Sequence, residues 1–396
     1  MAGDSARLVR TALLMNFIAP YRVPLLEQLR DRVGQLRVFV STRMEPDRAW
    51  LPEWGSLDVA VQRNVMLPWR HRRPGGMIQQ LYIHVPYDTL PQLIAYGPDV
   101  VVSGELGARS LQAALYRRLR PRSRLILWAT LSEHTEQTWG LTRRMLRRFI
   151  VRSADAVIVN GQSGARYIAT LAPELRTQVV NQVVDAGPFC QAPLHRGPSE
   201  ERRLVFAGRL IAQKGVFELQ RALAARALRH PARLLEIVWA GDGTERPVLE
   251  AEPMPANCRQ RFTGHISYGE LARIYAGCGA LILPTLWDEW GLVVNEALAS
   301  GLPVLGSIYS QAVEELVDDG KTGWLLDPLN PESLQGALDR FLDAPTERLA
   351  AMRTQARAHG MSLSLSDAAD RIAAAVQSAA MQGRPAKRDA RTAAAR

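Results

Sequence analysis

The chain has 396 residues, 47% apolar and 22% charged, and its net charge of +10 is spread unevenly: +11 over residues 1–198, −5 over 199–382 and +4 from Gly383 onward. The composition excludes a disordered or fibrous chain, the length predicts two domains, and no apolar run reaches the roughly 18 residues of a membrane span. Cys190, Cys258 and Cys278 are too few and too scattered for a disulfide framework or a zinc site, and read as buried thiols of a reducing compartment.

Arg7 and Arg10 stand before an apolar stretch without a small-residue cleavage site, so Thr11–Asn16 reads as a first strand and not as part of a signal peptide. A helical pattern over Val23–Val33 and a strand over Leu36–Ser41 follow, and His71–Gly76 reads as a flexible loop. Asp99–Ser103, Leu125–Thr130 and Ala156–Asn160 are further strands, separated by helical patterns over Ala108–Arg120, Leu141–Arg152 and Ser163–Leu171. Their continuous apolar character suits a parallel sheet covered on both faces. After a stretch rich in Pro and Gly, Asp185–Glu201, the alternation restarts. Its strands are Leu204–Ala207, Leu234–Ala240, Arg261–Thr263, Ala280–Leu283, Pro303–Gly306 and Trp324–Leu326. Two βα series predict an α/β protein of two doubly wound, Rossmann-like domains facing across a cleft, with ligands outside the carboxyl ends of the strands. We expect a first, acceptor-binding domain over 1–190 and a second, donor-binding domain over 200–363. A helix over 364–382 is expected to pack back on the first domain, ahead of a disordered basic tail over 383–396.

Two segments of the second series hold groups suited to a nucleoside diphosphate joined to a sugar. In VFAGRLIAQKG (205–215) a strand delivers the chain to Gly208, which allows a close backbone approach. Arg209 and Lys214 can then converge on phosphate, one as a planar fork and one as a point charge. Taken alone, that spacing of cations also describes an ordinary solvated loop. In PTLWDEWGLVVNEALASGLP (284–303), Asp288 and Glu296 stand eight residues apart across Gly291. This glycine opens a predicted helix whose first amides, at Leu292 and Val293, can point at an anion. Two acids at this spacing are, by themselves, more often a cap or an exposed face.

Together the two segments resemble the donor-binding motifs of glycosyltransferase family 4, retaining enzymes of the GT-B fold. The pattern F-x-G-R-L-x-x-x-K-G is matched at every fixed position. Asp288 stands where the family's E-x7-E has its first Glu, with Glu289 beside it to share the role. The resemblance implies that Gly208, Arg209 and Lys214 bind the donor diphosphate, with Arg209 and Lys214 stabilising the leaving nucleotide. It implies that Asp288 or Glu289 contacts the transferred sugar, that Gly291, Leu292 and Val293 approach phosphate, and that Glu296 takes the ribose hydroxyls. Thr263–Ile266 resembles the family segment lying against the nucleotide base, which adds Gly264, His265 and Ile266. Ala240–Gly243 and Asp319–Gly323 resemble family turns. In the front half, Asn16–Pro24 resembles an N-x-x-P-Y-R-x-P variant of the first loop. Glu133 and His134 lie in the region where a family histidine contacts the donor sugar, and His134 is the catalytic candidate.

The resemblance implies no cofactor, the nucleotide sugar being a co-substrate. No D-x-D motif points to a bridging metal, and no nucleic-acid partner is expected. The implied partners are a nucleotide-sugar donor and a glycan or lipid-linked acceptor in cell-surface glycan assembly. The basic stretches Arg117–Arg124 and Arg143–Arg152, with Arg143, Arg144, Arg147 and Arg148 at helical spacing, suit peripheral contact with an anionic membrane. The protein is accordingly expected in the cytoplasm, at the inner face of the membrane. A nucleotide-sugar epimerase of the same architecture and a non-catalytic nucleotide-sugar-binding protein stand as alternatives. An NAD-dependent dehydrogenase would require a G-x-G-x-x-G after a strand, which this chain lacks.

Overall fold

The computed structural model describes residues 9–46, 52–72, 78–136 and 139–383. The expected basic tail from 384 onward, and 73–76 of the expected loop, lie outside them. In chain order the front half gives β1 (Arg10–Met15), β2 (Gln35–Val40), β3 (Asp58–Val61), β4 (Asn64–Arg72), β5 (Ile78–Pro86), β6 (Val100–Gly104), β7 (Arg124–Ala129), β8 (Ala156–Val159) and β9 (Thr177–Val179). Its helices are α1 (Val23–Val33), α2 (Thr89–Tyr96), α3 (Ala108–Leu119), α4 (Glu133–Glu136), α5 (Leu141–Arg152), α6 (Gln162–Leu171) and α7 (Gly187–Cys190). The rear half gives β10 (Leu204–Ala207), β11 (Leu235–Ala240), β12 (Cys258–Gly264), β13 (Ala280–Leu283), β14 (Val304–Ser307) and β15 (Gly323–Leu326). Its helices are α8 (Val216–Arg229), α9 (Arg246–Ala251), α10 (Tyr268–Ala276), α11 (Leu292–Ala299), α12 (Gln311–Leu316), α13 (Pro331–Leu342) and α14 (Thr346–Ser362), and the last helix is α15 (Leu365–Gly383).

Both main sheets are parallel. The front order is β3-β2-β1-β6-β7-β8-β9 and the rear order β12-β11-β10-β13-β14-β15. Each order reverses beside its first strand, at β1/β6 and at β10/β13, and such a reversal opens a crevice at the carboxyl ends of the strands. Period-two alternation splits the front core between the two faces: Leu13, Val38 and Val102 pack on one, and Leu14, Phe39 and Val101 on the other. The helix α15 returns to the front sheet, where Ala369, Ile372, Ala373 and Val376 are buried beside Leu26 and Leu29 of α1. Its small apolar residues at helical spacing let two helices and a sheet approach closely. Among the described residues no helix is long and apolar enough to cross a membrane.

Several local expectations need correction. β4 and β5 form an antiparallel ribbon outside both main sheets, so His71 and Arg72 end a strand instead of starting a loop. The stretch expected as a loop at 185–201 contains the short α7. Its far end is clamped to the rear half: Arg196 donates to the carbonyls of Cys278, Tyr275 and Ser300. Cys258 and Cys278 are buried as expected, but Cys190 is only half-buried. Leu292 and Val293 are half-buried too, and the buried face of α11 begins at Val294.

Candidate functional site

The loops leaving β10 and β13 meet at the rear reversal point. After Gly208 and the exposed Arg209, the chain makes a 3-10 turn, Ala212–Lys214, and Gly215 stops it with φ +68°. A Cβ on Gly215 would lie 1.9 Å from the carbonyl oxygen of Pro284, so only glycine allows this loop to seat on the end of β13. Leu286 N–H donates to the Gln213 carbonyl at 2.9 Å and the Gln213 amide to the Trp287 carbonyl at 3.2 Å. The Ala240–Gly243 turn braces the other side, with Leu210 N–H donating to the Asp242 carbonyl at 2.9 Å.

This docking sets Lys214 Nζ 2.5 Å from Asp288 Oδ2, both side chains 17% exposed. The sequence gives no sign of the pair, because its members come from different loops. Asp288 is held further by its N–H, which donates to the Tyr309 carbonyl at 3.1 Å. Three residues on, Gly291 adopts φ +111° and starts α11; Val294 N–H returns to the Gly291 carbonyl, and the amides of Leu292 and Val293 precede the helix's own ladder.

Glu296 follows on the second turn of α11 and is buried. Burial pushes its pKa up to about 7, against a lowering contact from the Tyr275 hydroxyl. Its Oε2 lacks a hydrogen-bond partner at ordinary distance, an unusual state for a buried acceptor. Above it, Gly264 has φ +72°, His265 is exposed, Ile266 packs on the core, and Ser267 begins α10 with a reciprocal cap to Glu270. Tyr268, in the first turn of α10, feels both burial and the nearby Glu296 carboxylate.

The front half faces this site. His134, in α4, meets the Tyr309 ring edge-on at 5.3 Å between centroids, which brings it beside the Asp288 loop. Glu133 instead pairs with Arg166 at 2.7 Å, and Arg166 also reaches Glu314 of α12. Gln311 joins the halves: its amide nitrogen donates to the carbonyls of Leu131 and Glu289 at 3.1 and 2.8 Å, and its oxygen accepts from Gly164 N–H at 2.9 Å. Glu289 is open to the cleft yet surrounded by protein. That desolvation, then Glu105, Glu136 and Asp288, pushes its pKa up to about 8 against the pull of Arg147. Arg147 itself is buried in an ion pair with Glu136. At the front reversal point Asn16 donates to Glu105 at 2.6 Å, and the buried Arg109 bridges Glu105 and Ser41. Glu105 holds φ +65°, a conformation a non-glycine residue rarely takes, at the mouth of the cleft. Sequence reading missed Tyr309, Gln311, Tyr275 and the Glu136–Arg147 pair. No motif marks them; their partners are distant in the chain.

Residues 194–359 match the family model of glycosyl transferases group 1. A glycogen synthase of Mycobacterium tuberculosis is 32% identical over 216 residues, covering 53% of this chain and 50% of that protein. The chain thus spans about half the length of this curated relative. Among solved structures, a sucrose-phosphate synthase from Thermosynechococcus elongatus superposes with a TM-score of 0.68 at 17% identity, covering 93% of this chain and 98% of that one. The Anabaena protein HepE in complex with UDP gives a TM-score of 0.67 at 18% identity, covering 93% and 100%. The fold of this chain is GT-B.

Proposed function

We propose that this protein transfers a glycosyl group from a nucleotide-diphosphate sugar to an acceptor hydroxyl, with retention of configuration. The supporting observation is the meeting of Arg209, Lys214, Asp288 and the amide end of α11 at one strand reversal point, within the segment that matches the glycosyl transferases group 1 family. In this reading Arg209, Lys214 and the amides of Leu292 and Val293 hold the diphosphate and balance the charge that develops as it departs, without a metal. Asp288, with Glu289, holds hydroxyls of the sugar, and donor phosphate competes with Asp288 for Lys214. The orphaned Oε2 of Glu296 takes a ribose hydroxyl, while the backbone of Gly264, His265 and Ile266 lies against the base. His134 approaches the sugar from the front half, and the acceptor enters there, on the face from which the diphosphate leaves.

The acceptor we propose is a lipid-linked sugar or growing glycan at the inner face of the cytoplasmic membrane. Of the arginines expected to face lipid, Arg143 and Arg147 are engaged by Glu136, so the outward charge of α5 is that of Arg144, Arg148 and, at its end, Arg152. Thermal unfolding of the protein with UDP- and GDP-sugars, followed by nucleotide release with and without acceptor, tests the reading. A stabilising donor whose nucleotide is released faster with acceptor supports it. A donor consumed equally without acceptor points to an epimerase, and no stabilisation by any donor contradicts both.

A further inference from the structure

The β4–β5 ribbon has one face pinned and one bare. Residues directly opposite in an antiparallel pair share a face, and the register sets Val65 against Val85, Leu67 against Ile83 and Trp69 against Leu81. Val65, Leu67, Trp69 and Ile83 are exposed, Trp69 by 50%. On the opposite face His84 is buried, its ring 3.1 Å from both Asn64 and Glu45. A two-stranded ribbon showing a continuous apolar face to water is costly unless something covers it.

That face continues into α5. The His71 ring stacks on Trp139 at 4.0 Å, and the Arg143 guanidinium lies 3.6 Å from the same ring. Beyond this junction α5 exposes Leu141, Met145 and Phe149, with Arg144 and Arg148 between them, and Arg118 lies over Phe149 at 5.2 Å. Apolar side chains interleaved with arginines, on a half carrying +11, would repel a second copy of themselves and complement an anionic surface.

We propose that the bare face of the β4–β5 ribbon is a docking surface for an anionic lipid bilayer, with Trp69 and Leu67 entering the interface beside α5. The ribbon flanks the cleft. At one end Glu45, bonded to His84, lies in the field of Arg109, which holds Glu105; at the other the Trp139 N–H donates to the Glu136 carbonyl. Docking would bring the acceptor side of the cleft to the membrane surface. The inference deepens the membrane contact proposed above and rests on that reading only for why the cleft should face lipid.

The test is sedimentation of the full chain with phosphatidylcholine vesicles containing about 30% phosphatidylglycerol, with thermal shifts by donor measured on the same preparations. The native protein is expected to bind, and Leu67→Asp/Trp69→Asp to lose about tenfold in partitioning while its donor shift stays unchanged. Because that variant could misfold, Trp69→Phe provides a second reading: brominated lipid should quench the native emission more than that of Trp69→Phe. Equal sedimentation of the charged variant, equal quenching, or a dimer of the native protein that the charged variant dissolves would each overturn the proposal. Loss of the donor reading alone would leave vesicle binding unchanged.

Discussion

Gly215 shows how much of the site depends on single atoms. With φ +68° and the Pro284 carbonyl where its Cβ would be, Gly215→Ala must move the loop that carries Lys214. A loss of about 2 kcal/mol or more is expected, with weaker donor binding; an unchanged melting temperature would contradict the packing. Glu296 makes a prediction with a sign. The native carboxyl keeps its proton to about pH 7, whereas the unfolded chain releases it near 4.5, so the native state binds more protons between those values. Stability from this group is full below pH 4.5 and is lost as pH rises through about 7. Glu296→Gln should therefore gain up to about 3 kcal/mol over the native protein above pH 8 and nothing near pH 4. Urea unfolding at both values measures it, and a gain at the lower pH would refute the assignment. At this scale the glycines, cations and carboxylates of the rear half stood out through the resemblance of their two segments to donor-binding motifs, since residue type and spacing alone also describe a solvated loop and a helix cap. The Lys214–Asp288 pair and the orphaned Oε2 of Glu296 were not, since both depend on contacts between separate loops.

Among elements, strands buried on both faces announced themselves as apolar runs, and β1, β6, β7, β8, β10 and β13 lie where the runs do. The short β9, only three residues long, offers too little pattern to detect. The ribbon β4–β5 was missed because the arginines, proline and glycines of 70–76 read as a loop, and because its apolar face has no core to match. The end of the chain reads in the sequence as a helix that packs back on the first domain, and α15 lies beside Leu26 and Leu29 of α1. Truncation after Leu363 would remove the alanine-rich face of α15 and uncover Leu26 and Leu29, and should lower the melting temperature by on the order of 10 °C. A truncated chain that melts like the native one would show that α15 is dispensable. The α12–α6 junction gives a milder prediction. Gln311→Ala removes two hydrogen bonds between the halves and one to Glu289 within the rear half. Turnover should fall several-fold with little change in donor affinity, and Gln311→Glu, which keeps the acceptor for Gly164 but loses the donor, should not restore it. A fall in donor affinity with turnover preserved would assign the residue to donor binding instead.

For the whole molecule, two parallel sheets set their reversal points toward one another, so groups more than a hundred residues apart share a cleft. Glu105, Glu136 and Arg147 of the front half act on Glu289 of the rear. Composition and βα alternation are enough to predict two such sheets, while the charge asymmetry supports the anionic neighbour proposed for the front. How the halves meet is encoded in Gln311, Arg166 and Tyr309, which carry no recognisable spacing. The central claim is that Arg209 and Lys214 hold a diphosphate whose departure they assist. The most direct measurement is nucleotide release from the stabilising nucleotide sugar, with acceptor, by native protein and by Arg209→Ala/Lys214→Ala. The account predicts that the double variant keeps its native circular dichroism and melting transition and loses about three orders of magnitude or more in turnover; turnover within a few-fold of the native rate would contradict it.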